Sequence, residues 1–152
     1  MTEQRMASPD RLDDFIEMNN LTSHFYSVLD ARDYPSVIDC FAEDGEWFRR
    51  GSSVKGKAAI TEALAHRPAT FHTAHIVSNV RVHIADGSSG HVHFYLTGYP
   101  HHGEIPKGTY LPLPHAHMLT EFRDSMRKVD GHWKITEKRP VRTLYQSDSK
   151  LP

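Results

Sequence analysis

Histidine is the residue type with the clearest potential for chemistry in this sequence. The chain carries twelve histidines among 152 residues, and an imidazole can bind a transition metal or exchange a proton near neutral pH. Paired imidazoles occur at His91 and His93, at His101 and His102, and at His115 and His117. Alternate residues of a strand share one face, as ligands of a three-histidine metal site must. No carboxylate accompanies these pairs at a recognised spacing, so we expect no metal and keep a histidine metal site as the alternative.

The charge balance and the apolar pattern narrow the possible partners. The 18 Lys and Arg residues against 19 Asp and Glu give a pI near 6.9, which favours neither nucleic acid nor an anionic membrane surface. No stretch approaches the roughly 20 apolar residues of a membrane span, and residues 1–9 lack the apolar run of a secretory signal. The single cysteine, Cys40, excludes an internal disulfide. We therefore predict a cytoplasmic protein whose partner is a small molecule or another protein.

A long first helix is the strongest local pattern. It should begin near Arg11, with Ser8 or Asp10 as its cap, and end by Asp33, because apolar residues recur at helical spacing. The predicted inner face comprises Leu12, Phe15, Ile16, Asn19, Thr22, Phe25, Tyr26 and Leu29. Asp33 is expected to cap a second, short helix over 35–42, and a third helix is expected over 56–66.

From residue 69 onward the apolar period changes to alternation, which is typical of strands. After a turn at Asp44-Gly45 and a short strand at 46–50, we predict long strands over 71–84, 91–99, 116–129 and 132–143. Turn residues at 86–90 and 130–131 predict antiparallel hairpins, and prolines make 100–114 an irregular loop. We expect one domain over 10–145, a flexible N-terminus at 1–9 and a tail at 146–152. Helices followed by such strands predict an α+β fold, with the helices covering one face of a curved sheet.

Five short motifs, in order along the chain, resemble those of the SnoaL-like, or nuclear transport factor two-like, superfamily and its scytalone dehydratase-like branch. They are LDARDY at 29–34, FAEDGEW at 41–47, GKAAI at 56–60, TAHIVSN at 73–79 and RKVDGHWKI at 127–135. The resemblance spans about residues 10 to 145. It implies a cystatin-like cone, in which three N-terminal helices pack on a curved, mostly antiparallel sheet and enclose a pocket.

The resemblance also implies a catalytic pair, Asp30 at the end of the first helix and His75 on the first long strand. A neutral imidazole can remove or return a proton, and a carboxylate can fix its tautomer. The expected activity is that of a cofactor-independent dehydratase or isomerase acting on a hydrophobic, cyclic small molecule. Ring closure of the polyketide cyclase type and a non-catalytic binding or assembly module are the alternatives. In the latter case the pair would be a structural hydrogen bond.

The sequence departs from the scytalone dehydratases at their tyrosine pair. Leu29 stands where the first tyrosine is expected, and the second position falls near Phe48 and Arg49. Tyr26 and Arg49 are therefore candidate substrate-binding residues in their place. Asn79 and Tyr99, as strand residues that could face the cavity, and His101, near the place of a second histidine in the scytalone dehydratases, are further candidates. An uncovered sheet face also predicts a homo-dimer or homo-trimer, which the family often forms.

Overall fold

The computed structural model describes residues 11–49, 51–112 and 115–146. Its elements are α1 (Leu12–Asp30), α2 (Tyr34–Asp39), β1 (Phe41–Arg49), β2 (Ser52–Lys55), α3 (Lys57–Ala65), β3 (Phe71–Ile84), β4 (Ser89–His102), β5 (Met118–Val129) and β6 (His132–Gln146). The flexible N-terminus, the caps Ser8 and Asp10 and most of the C-terminal tail are predictions that lie outside the described residues.

The six strands form one sheet in the order β2-β1-β6-β5-β4-β3. Every neighbouring pair is antiparallel except β1 and β6, which are parallel. The sheet is curved and not closed, and the helices cover its concave face, with α1 packed mainly on β3. The predicted α+β class is therefore confirmed. None of the helices in the described part of the chain is both long and apolar enough to cross a membrane.

The buried face of α1 differs from the prediction in the first turns. Leu12, Phe15 and Ile16 were expected to face inward, yet they are 53%, 38% and 46% exposed. Here Asp14 and Glu17 face the sheet instead, because their carboxylates accept hydrogen bonds from the indole and backbone N–H of a tryptophan in β6, each at 3.0 Å. Further along the helix, the predicted inner residues are buried, as expected: Thr22, Phe25, Tyr26 and Leu29.

The second helix is shorter than predicted. Asp33 caps it as expected, by accepting a hydrogen bond from the backbone N–H of Ser36 at 3.3 Å. The helix ends at Asp39, however, and the predicted last turn and the predicted turn at 44–45 belong to β1. The cause is pairing with β6, since Ile135 donates its N–H to the carbonyl of Cys40 at 2.8 Å. A strand contact almost 100 residues away cannot be read from local helical spacing.

The long strands follow the alternation closely. β3 has the predicted bounds, and both hairpin turns join antiparallel strands; in the second, Asp130 and Gly131 have φ of 51° and 83°, as a two-residue Asp-Gly turn requires. β4 runs on to His102, so His101 and His102 lie in a strand rather than in the predicted loop.

A fully buried ion pair lies in the core between β5 and β6. Lys138 Nζ lies 2.6 Å from Oδ2 of Asp124, and both side chains are 0% exposed. Four aromatic rings surround the ammonium group, with centroids 4.2 to 5.9 Å from Nζ; they belong to Phe25, Tyr26, Phe94 and Phe122. Such faces attract a cation electrostatically, so the core encloses a charge in a mostly aromatic shell.

Candidate active site

A cavity of about 480 Å³ opens between the helices and the concave face of the sheet. Its wall is mostly apolar and includes Trp47, Phe71 and Phe122. The charged or titratable side chains among its described lining residues are two arginines, Arg49 and Arg67, two histidines and Tyr99, without a carboxylate. A concave, apolar wall with a few polar groups is typical of a small-molecule site.

Asp30 and His75 meet at this wall. Asp30 is the last residue of α1, and His75 lies in β3, 45 positions later. Nδ1 of His75 lies 2.6 Å from Oδ1 of Asp30, and the backbone N–H of His75 donates to Oδ2 at 2.7 Å. The His75 side chain is 13% exposed and that of Asp30 is 22% exposed. The pair is therefore largely buried, beside the cavity that His75 lines.

Two further hydrogen bonds fix the carboxylate of Asp30. The hydroxyl of Thr73 donates to Oδ1 at 2.7 Å, and Arg67 Nη2 donates to the Thr73 oxygen at 2.6 Å. Burial raises the pKa of Asp30, but the hydrogen bonds from His75 and Thr73 outweigh burial and leave its pKa below the usual value. The carboxyl group is therefore held in its ionised form.

The end of α1 is tied to β3 by two arginines. Arg32 has a left-handed backbone, with φ of 61°, and ends the helix; its Nη1 donates to the carbonyl of Phe71 at 2.7 Å. Arg67 Nη1 donates to the carbonyl of Leu29 at 3.2 Å, where a cation also complements the helix dipole. These contacts hold Asp30 at the height of His75 on the strand.

The imidazole of His75 is packed on one side and accessible on another. The Tyr26 ring lies behind it, with centroids 5.1 Å apart. Gly98, its partner in β4, has no side chain; a Cβ there would lie 3.9 Å from Nε2. A glycine opposite the ring therefore leaves space beside Nε2.

The candidate substrate-binding residues fall into three groups. Arg49 and Tyr99 line the cavity. Tyr26 is buried and contacts His75, but it is not a lining residue. Asn79 and His101 are not brought to the cavity: Asn79 is exposed, with φ of 52°, where the β3–β4 register shifts, and His101 pairs with His72 outside the lining.

Arg67 and Thr73 are not among the site residues that the sequence patterns predict. Thr73 stands in the TAHIVSN motif, and its position two residues before His75 on the same strand face was an available signal. Arg67 follows α3 and precedes a proline, and nothing in its local pattern distinguishes it from a solvated arginine.

The histidine pairs do not form a metal site in the part of the chain that the structure describes. His91 stacks on His83 with ring centroids 4.7 Å apart and lies 5.2 Å from the ring of His93. Even so, no group of three or more His, Cys, Asp or Glu side chains within residues 11–49, 51–112 and 115–146 is arranged to hold an ion.

A comparison with known protein families shows which family the chain belongs to. A model of the SnoaL-like domain matches residues 10–139. The chain belongs to the SnoaL-like family. This confirms the membership that the five sequence motifs indicated. No curated protein sequence matches this SnoaL-like protein.

Solved structures confirm the fold of this SnoaL-like protein. A protein from Novosphingobium aromaticivorans with the provisional name scytalone dehydratase has a TM-score of 0.73 at 18% identity, over 93% of this chain and 91% of that one. An NTF2-like protein with a cystatin-like fold from the same organism has a TM-score of 0.69 at 20% identity, over 86% and 82%. A hexachlorocyclohexane dehydrochlorinase (LinA), type 2, has a TM-score of 0.68 at 16% identity, over 94% and 95%. At these identities the likeness concerns the fold alone.

Proposed function

We propose that this SnoaL-like protein is a cofactor-independent lyase or isomerase of the dehydratase type, acting on a hydrophobic, cyclic small molecule. The observation that carries the proposal is the 2.6 Å contact between His75 Nδ1 and Asp30 Oδ1 at the wall of a 480 Å³ cavity. Membership of the SnoaL-like family supports it, and so does the structural neighbour named for dehydrochlorination of a cyclic compound.

In the proposed reaction, Nε2 of His75 is the general base. It removes a proton from the carbon next to a carbonyl group, and the electron pair passes into an enolate. The imidazolium ion keeps its Nδ1–H directed at the Asp30 carboxylate, which stabilises the positive charge. Nε2 then returns the proton to the departing β-hydroxyl group, so that one molecule of water leaves and a conjugated double bond forms.

The developing negative charge on the carbonyl oxygen requires a hydrogen-bond donor in the cavity. Arg49 and Tyr99 are the candidates, because both line the cavity and carry a donor at the end of the side chain. The guanidinium of Arg49 lies 4.7 Å from the Trp47 ring centroid, which limits its movement. An apolar cavity of this size suits one or two fused rings.

The test is turnover with a panel of cyclic β-hydroxy ketones, followed by the ultraviolet absorbance of the conjugated product. His75→Gln should lower the rate by about 10²–10⁴-fold, as expected for loss of a general base, and Asp30→Asn should also lower it. His132→Gln changes an exposed histidine outside the cavity and should retain the parent rate. Equal rates in His75→Gln and His132→Gln would rule out His75 as the base.

Two alternatives use the same cavity. Ring closure by carbon–carbon bond formation needs the same enolate, so the panel should include open-chain diketones. A non-catalytic binding module needs neither side chain of the pair. In that case no panel compound would turn over, and Asp30→Asn and His75→Gln would leave ligand affinity, read from Trp47 fluorescence, nearly unchanged.

We further propose that the chain forms a homo-dimer or homo-trimer through the sheet face opposite the helices. The register places Ile76, Thr97, Leu119 and Tyr145 side by side across β3 to β6. Ile76 and Tyr145 are 53% and 74% exposed in the single chain, and exposed apolar side chains at both ends of one row favour association. Light scattering at micromolar concentration should give a multiple of 17.4 kDa, and Ile76→Lys should shift it toward the monomer. A monomeric parent protein would contradict this.

A further inference from the structure

The hydrogen bonds around Asp30 form a chain whose direction is set by chemistry. Arg67 Nη2 and the Thr73 oxygen are 2.6 Å apart, and the Thr73 oxygen and Asp30 Oδ1 are 2.7 Å apart. A guanidinium has donors only, so the Thr73 oxygen must accept from it. The single hydroxyl hydrogen of Thr73 is then left for Asp30. Arg67 therefore acts on the carboxylate without touching it, by turning the Thr73 hydroxyl toward it.

The hydrogen bonds of Asp30 also determine which ring nitrogen of His75 carries the hydrogen. Oδ2 of Asp30 accepts the backbone N–H of His75, and Oδ1 accepts the Thr73 hydroxyl, so both oxygens are already acceptors. An ionised carboxylate can only accept, which requires the hydrogen on Nδ1 of His75 at the 2.6 Å contact. Nε2 of the neutral ring then keeps its lone pair, and it lies on the side where Gly98 leaves space.

Arg67 is itself held in place at three points. Its Nη1 donates to the Leu29 carbonyl at 3.2 Å, its backbone carbonyl accepts from Arg32 Nη2 at 3.4 Å, and its guanidinium carbon lies 5.1 Å from the centroid of the Phe71 ring. A side chain fixed in this way loses little further freedom when it binds Thr73. Arg67 is thus held in a fixed position relative to β3.

We propose that Thr73, held by Arg67, is a positioning residue that keeps Asp30 an ionised, oriented acceptor and so fixes the Nδ1–H form of His75. The proposal rests on the proposed function for its catalytic meaning, but its structural content does not depend on turnover. A purely structural threonine, present because β-branched residues suit strands, would leave the titration of Asp30 unaffected by loss of its hydroxyl.

Carbon-13 NMR of the Asp30 carboxyl group tests this directly, with the signal assigned by its loss in Asp30→Asn. Thr73→Val keeps the shape and β-branching but removes the donor, so the Asp30 titration midpoint should move to higher pH. Thr73→Ser restores a hydroxyl and should return the midpoint toward the parent value. Thr120→Val makes the same change elsewhere in the cavity wall, where Thr120 contacts Thr143 at 3.3 Å, and should cause no shift.

The role of Arg67 is tested by a double-variant cycle. The Arg67 cation also attracts the Asp30 carboxylate directly, so Arg67→Met should raise the Asp30 midpoint in both backgrounds. If Arg67 also acts through the hydroxyl, the rise should be smaller in the Thr73→Val background than in the parent. An equal midpoint in Thr73→Val and the parent would overturn the proposal, and an additive shift from Arg67→Met would overturn the part that concerns Arg67. If the valine variant does not fold, Thr73→Ala replaces it, because alanine also removes the hydroxyl without adding bulk. The Asp30 midpoint should again move to higher pH.

The titration of Asp30 tests the roles of Thr73 and Arg67 independently of whether the proposed reaction occurs. If no substrate turns over, the titration still shows whether Thr73 and Arg67 hold Asp30. If turnover is found, the acid limb of the pH–rate profile should move to higher pH in Thr73→Val, because Asp30 must be ionised to hold the imidazolium. An unchanged acid limb together with a shifted titration would mean that Asp30 does not act in the reaction.

Discussion

Replacing Lys138 with methionine leaves the carboxylate of Asp124 buried without its counter-charge. In the parent protein their charged atoms are 2.6 Å apart and fully buried, and Oδ1 of Asp124 has no hydrogen-bond partner among the described residues. Burial lowers the pKa of Lys138 and raises that of Asp124, and the attraction between the two groups opposes both effects. Each charge is therefore tolerated in the core only because the other is present.

The expected cost follows from this burial. Removing one partner of a buried ion pair costs about 3–5 kcal/mol, whereas replacing both partners by apolar residues is often neutral or stabilising by about 1–4 kcal/mol. A domain of this size is stable by only about 5–15 kcal/mol, so Lys138→Met should lose a large part of it. The double variant Lys138→Met with Asp124→Val should be more stable than either single variant.

Urea unfolding followed by tryptophan fluorescence measures these differences, because Trp47 and Trp133 are both buried. Lys134→Met is the matched control. Its ammonium lies 3.1 Å from Asp39, whose side chain is 76% exposed, and a pair of this kind is worth at most about 1 kcal/mol. A loss in Lys138→Met no greater than in Lys134→Met, or a double variant as unstable as the singles, would refute the argument that the pair is mutually compensating.

Three further predictions concern two glycines of β4, Gly98 and Gly90, and the half-buried histidine His91. A methyl group in Gly98→Ala would make ordinary contacts of 3.7 and 3.9 Å with the His75 ring, so the unfolding midpoint should be retained while turnover falls by roughly tenfold or more as Nε2 is obstructed; unchanged turnover would place the approach to Nε2 elsewhere. Gly90→Ala would bring a Cβ to 2.5 Å from a backbone oxygen of β3 and should cost about 1–3 kcal/mol in urea unfolding, whereas Gly87→Ala, with no described atom within 4 Å of the new Cβ, should cost less; equal losses would contradict the clash. Burial, with a charge contribution from a nearby arginine, lowers the pKa of His91 from 6.5 to about 4. As pH falls below 6.5, the unfolded chain therefore takes up the proton before the folded protein does. The contribution of neutral His91 to folding stability is present above pH 6.5 and is lost as pH falls toward 4. His91→Gln should reduce that loss, and proton NMR should give half-protonation of His91 near pH 4; a midpoint near 6.5 would contradict the cause.

The strands and the Asp30–His75 pair show how much of the structure the sequence patterns predict. Alternation gave the bounds of β3 correctly, because a long strand with one covered face repeats every two residues. Asp30 and His75 were identified from motif resemblance, and the structure brings them into contact. The predicted end of α2 was wrong because the residues after Asp39 pair with β6 as a strand. Since β6 is distant in sequence, local spacing does not reveal this pairing.

The sequence by itself determined the α+β class, the family and the two residues of the proposed catalytic pair, since these depend on periodicity and on local motifs. Only the tertiary structure decided which polar residues surround the pair. Arg67 and Thr73 join it, while Asn79 and His101 lie away from the cavity. The physical reason is that a hydrogen bond depends on distances of a few tenths of an ångström between atoms, and those distances are set by how α1 and the loop after α3 pack against β3.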